Sequence, residues 1–136
     1  MGFVFEINGI NFVPFLSENG LKWTRNDVDS PEAGQMMDGT LRRDRVIMRR
    51  RIEVTILGGL TKRGKLTERE MSILQRAIFP QWVSVRFNDP LEGSIITRTF
   101  YSNNITVTTS SYDRKRDILY YDGGWTFPLI EEGIPL

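Results

Sequence analysis

The stretch Arg45-Val-Ile-Met-Arg-Arg-Arg-Ile-Glu-Val-Thr-Ile56 constrains the fold of this chain more than any other. Val46, Met48, Ile52, Val54 and Ile56 share one parity, and Arg45, Arg49, Arg51, Glu53 and Thr55 take the other. Strand side chains alternate between faces, so the pattern predicts a long strand with one buried and one polar face. Arg50 lies on the apolar parity, where a guanidinium needs paired carboxylates or several carbonyls. It is expected near the strand's open end or paired across a subunit boundary.

Charge is segregated around this strand. From Leu41 to Arg51 six arginines face Asp44 alone, whereas Ser17 to Thr40 holds five acids (Glu18, Asp27, Asp29, Glu32, Asp38) against Lys22 and Arg25. The net charge of +1 hides this separation, which argues for local complementarity between copies of the chain rather than for a polyanion-binding protein. Loops longer than about 12 to 15 residues are uncommon in compact domains and are usually functional or disordered. Leu21, Trp23, Val28, Met36 and Met37 are side chains that disordered linkers lack. Residues 17–40 are therefore expected as an assembly loop, a solvated loop tacked down by Trp23 being the plainer reading. The candidate subunit-interface residues are Trp23, Arg25, Asp27, Asp29, Met36, Met37 and Asp38 on the loop. Facing them on the basic side are Arg42, Arg43, Arg45, Arg49, Arg50 and Arg51.

The rest reads as short strands and one helix. Gly2 to Leu16 is expected as a hairpin turning at Asn8-Gly9, the pair favoured in two-residue turns, and a short strand over Gly20 to Arg25 precedes the loop body. Thr67-Glu-Arg-Glu70 has the spacing of a capping box, with Leu66 placed to staple against Met71. A helix over about 67–79 follows, with Met71, Leu74 and Ile78 as its apolar stripe and Pro80 as its stop. Further strands are expected over Trp82 to Phe87, Ile95 to Tyr101, Ile105 to Ser110, Ile118 to Tyr121 and from Trp125 to Leu129. Tyr112 to Asp117 should form a charged hairpin tip. Pro14 and Pro128 suggest sheet edges, and Glu131 to Leu136 a loose tail. The sum is one domain over 1–136, mainly β, an antiparallel β-sandwich or barrel with one flanking α-helix.

With zero cysteines and zero histidines, thiolate, serine–histidine and imidazole-ligated metal chemistry are impossible. Asp27-Val-Asp29 misses the spacing of a calcium loop because Pro31 and Glu32 stand where an oxygen ligand and glycine are wanted. Carboxylates at Glu18, Asp27, Asp29 or Asp38 have no separation fixed by sequence. No metal, cofactor or enzymatic activity is expected. The N-terminus does not read as a secretory signal, and no run of about 18 apolar residues is present to cross a bilayer. Arginine binds phosphate bidentately, but the arginines alternate between faces, so contact with acidic protein surface is favoured over nucleic acid.

The string Gly20-Leu-Lys-Trp-Thr-Arg-Asn-Asp-Val-Asp-Ser-Pro-Glu-Ala-Gly34, then Asp38-Gly-Thr-Leu-Arg-Arg-Asp-Arg-Val46, the Leu66 to Pro80 helix, Tyr101-Ser-Asn-Asn104 and Trp125-Thr-Phe-Pro-Leu129 carry a likeness. Together they resemble short proteins encoded in tail-gene clusters of tailed phages and prophages of Gram-positive bacteria. The order of elements is similar to the tail-tube fold of tube proteins and of the N-terminal part of distal tail proteins. That resemblance implies a virion structural protein, assembled in the host bacterial cytoplasm into a hexameric ring around a DNA channel. Its loop would contact the next subunit or ring, other tail or baseplate proteins would be its partners, and no catalytic residue, membrane anchor or sequence-specific DNA site carries over. The alternative is a DNA-contacting packaging or head–tail connector factor using the Arg42 to Arg51 cluster.

Overall fold

The computed structural model describes residues 2–29, 34–35, 41–42, 45–57, 64–132 and 134–135. It is mainly β, with antiparallel sheets and one helix. The arginine strand folds as its alternation requires, as β6 (Arg45–Ile56), with Ile52, Val54 and Ile56 buried and Arg49, Arg51, Glu53 and Thr55 on the opposite face. Ahead of it come β1 (Phe5–Ile7), β2 (Ile10–Asn11), β3 (Leu16–Asp29), β4 (Gly34–Gln35) and β5 (Leu41–Arg42). After it come β7 (Lys65–Thr67), α1 (Glu68–Ile78), β8 (Val83–Asp89), β9 (Ser94–Tyr101), β10 (Thr109–Asp113), β11 (Ile118–Asp122), β12 (Thr126–Glu131) and β13 (Ile134–Pro135).

The large sheet has eight strands in the order β13-β6-β12-β9-β8-β1-β2, with β3 on the free side of β6. Among the described residues it does not close into a barrel. A three-stranded sheet, β10-β11-β7, stands apart, and β4 pairs with β5. Leu66 of β7 and Met71, Leu74, Ala77 and Ile78 of α1 enter the same hydrophobic cluster as the inner residues of β1, β6, β8 and β12. One face of the large sheet is thereby covered, and among the described residues the opposite face carries the polar parity of its strands, the arrangement that a one-sided apolar alternation demands.

Local chemistry explains several boundaries. Asn8 and Gly9 both take positive φ, 49° and 82°, the geometry whose twist matches that of the flanking strands. Thr67 caps α1 by accepting from the Glu70 amide while Glu70 reaches back to the Thr67 amide, a complete capping box. Gly20 lies within the register shift between Leu16 and Leu21. A Cβ there would stand 2.7 Å from the Ser17 carbonyl oxygen and 2.8 Å from that of Thr55.

The structure departs from expectation at five places. The expected 17–40 loop is a paired strand as far as Asp29; residues 30–33 and 36–40 lie outside the described residues. The first hairpin's return strand ends at Asn11, because Pro14 sits in a 3-10 turn (Val13–Phe15) where its missing amide hydrogen costs nothing. The stretch from Ile105 to Thr108 is not strand, although Ile105 and Val107 pack on the core. Pro128 lies in an interior strand, since β9 has ended at Tyr101 and the Ser102 hydroxyl, not a strand, serves the Pro128 carbonyl at 2.6 Å. The segment expected to be a loose tail begins with Glu131 buried and continues into β13 against β6.

Candidate assembly surface

β3 and β6 form a ribbon whose register decides where each candidate residue stands. Leu21 pairs with Val54, Trp23 with Ile52 and Arg25 with Arg50 on the core side; Lys22 pairs with Glu53, Thr24 with Arg51 and Asn26 with Arg49 on the outer side. The backbone ladder continues with Asp27 opposite Met48 and Asp29 opposite Arg45. The acidic segment thus lies against the basic strand of its own chain, and separation in sequence is not separation in space. Trp23 packs half-buried on the core, which commits its ring to its own subunit. Met36, Met37, Asp38 and Arg43 lie outside the described residues, and Arg42 is placed only as part of β5.

Arg50 is neither at an open end nor left for a neighbouring subunit. Its Nε donates to Asp89 Oδ1 at 2.9 Å and Nη2 to Asp89 Oδ2 at 3.2 Å, while Nη1 donates to Glu131 Oε2 at 3.0 Å. The Arg50 amide donates to Glu131 Oε1 at 2.9 Å, and the Glu92 amide to Asp89 Oδ2 at 2.9 Å. All three side chains are 2% exposed or less. Burial works against the guanidinium's charge, but the hydrogen bonds and charges of Asp89 and Glu131 outweigh it and raise its pKa above the ordinary value. Two carboxylates around one guanidinium leave a buried cluster that is formally one unit negative. Sequence reasoning missed both acids. The signal lay in parity, for Asp89 continues the buried series Val83, Val85, Phe87, and Glu131 the series Trp125, Phe127, Leu129.

Arg49 and Arg51 differ from Arg50 in environment. Both point to the outer face of the sheet, where each is half-buried, and among the described residues neither forms an ion pair. The Arg49 Nε is buried with no hydrogen-bond partner, as is the Trp23 indole nitrogen. Such groups carry a desolvation cost that a partner would offset. Lys22 lies on the same face, as does Arg86, which is held by Glu6 at 3.3 Å. Along its outer edge β3 has no strand partner among the described residues. A long unpaired edge is a template for another chain. Among the described residues no group of three or more acidic side chains is arranged to hold a metal ion.

No family model, curated protein or solved structure matches this chain.

Proposed function

We propose that this protein is a structural subunit of a bacteriophage tail, in a baseplate or distal-tail adaptor ring or in the tail tube, and that it closes into a hexameric ring around a DNA channel. The observation that carries the reading is the pair Arg49 and Arg51, cationic, half-buried on the outer sheet face and without carboxylate partners among the described residues. The open edge of β3 and the sequence resemblance to tail-cluster proteins support it. In a ring the same heterologous contact repeats at each junction, so unpaired arginines on one copy would meet acidic surface on the next. The acidic partner is no longer a free loop over 17–29, since those residues are paired within the chain. Replacing Arg49 and Arg51 with glutamate tests the reading: ring mass by light scattering should fall to that of smaller species at moderate salt, and an unchanged ring would remove the arginines from the contact.

The same two arginines support a second reading, a DNA-contacting packaging or connector factor in which they bind phosphate. A gel-shift series discriminates, because each phosphate contact contributes about −0.9 to the slope of log affinity against log salt on duplex DNA. A flat series rejects this reading.

A further inference from the structure

A groove of about 660 Å³ separates α1 from the tip of the β10–β11 hairpin, its lining apolar at Ile73, Ile118 and Leu119 and charged at Glu68, Arg69, Arg76 and Asp117. A second hollow of about 330 Å³ adjoins it at Ser72 and Arg76 and ends at Phe79 and Ile105. Phe79 is 86% exposed and Ile73 43%. An apolar strip running past a helix, with a phenylalanine standing almost free at its end, marks an interaction surface.

We infer that this face docks a second copy of the same chain across a two-fold axis at Ser72, with the two α1 helices antiparallel. Three features of the surface fit that operator together. A two-fold at Ser72 sets residue i against residue 144 − i, which brings Glu68 of each copy opposite Arg76 of the other and pairs opposite charges twice. Ser72 is small, so the helices can approach closely at the crossing. Phe79 lies seven residues beyond the axis, about 10 Å along the helix at 1.5 Å per residue. That displacement carries it past the first turn of the partner's helix, toward the Thr67 end of the groove. Shifting the axis by half a residue toward Ile73 would set Arg69 against Arg76, and the same shift toward Met71 would leave Glu68 opposite Gln75, so charge selects the register. The contact is isologous, and it uses the covered side of the molecule rather than the ribbon face invoked for the ring. It therefore does not depend on that reading.

The chain has no cysteine, which makes Ser72→Cys a direct probe, because disulfides need Cα atoms within about 7 Å. The probe is best made in the Arg49→Glu/Arg51→Glu background, so that any ring contact is removed separately. Under mild oxidation Ser72→Cys should give a covalent dimer at least about tenfold faster than the exposed control Ser94→Cys, and adding Phe79→Ser should abolish the difference. By sedimentation, Glu68→Arg or Arg76→Glu alone should weaken dimerisation about tenfold, and the double exchange should restore it. Equal cross-linking of the two cysteine variants, or a double exchange no better than the singles, overturns the proposal. So does capture of a different protein by the groove of a chain that stays monomeric.

Discussion

Arg50 reaches Asp89 and Glu131 across 39 and 81 residues of sequence, so a single side chain ties β6 to the ends of β8 and β12. Removing one member of a buried ion cluster leaves a charge without compensation, at about 3 to 5 kcal/mol. Arg50→Ala, which strands two carboxylates, should therefore lower unfolding free energy by about that amount in a urea titration. The triple exchange Arg50→Met/Asp89→Leu/Glu131→Leu should recover much of it, because no ion is then left buried. At the other surface, Tyr112 donates to the Asp117 carboxylate, which raises its pKa above the ordinary tyrosine value, with lesser contributions from desolvation and the charge of Asp113. Since the folded chain holds this proton more tightly, the bond contributes fully below pH about 10 and is lost as pH rises through the folded value. Spectrophotometric titration should show Tyr112 ionising late, and Asp117→Asn should bring that ionisation down.

Among the elements, α1 was legible from sequence, and the reason is local. Its start is fixed by the Thr67 and Glu70 side chains bonding reciprocally to backbone, and Pro80 follows its end. Thr67→Ala should cost about 1 kcal/mol of stability, read by thermal or denaturant melting. β6 was equally legible, because its two parities differ so sharply in polarity. β3 was not. Thr24-Arg-Asn-Asp-Val-Asp29 is poor in strand formers apart from Thr24 and Val28, and those residues are strand because β6 offers them a ladder, a non-local reason that outweighs intrinsic preference. The pairing of Arg50 with Asp89 and Glu131 was invisible for the same cause, the acids being remote in sequence, although their place on buried parities was there to be read. Gly20 offers a test of the β3 bulge. Gly20→Ala drives a methyl into two carbonyl oxygens and should destabilise the ribbon by about 1 to 3 kcal/mol, with the helical signal in circular dichroism retained.

For the whole molecule, the helix and the inner strand residues cover one side of the large sheet, and its other face carries Arg49 and Arg51 without partners among the described residues. Arg50, between them, is satisfied within its own subunit, so the proposed assembly rests on its two neighbours and on the edge of β3, which has no strand partner among the described residues. The measurement that bears most directly on that account is electron microscopy of the purified protein at micromolar concentration, paired with mass determination in solution. The account predicts sixfold rings or stacked tubes that disperse in the Arg49→Glu/Arg51→Glu variant. A field of separate monomers or dimers, with a mass to match, would contradict it.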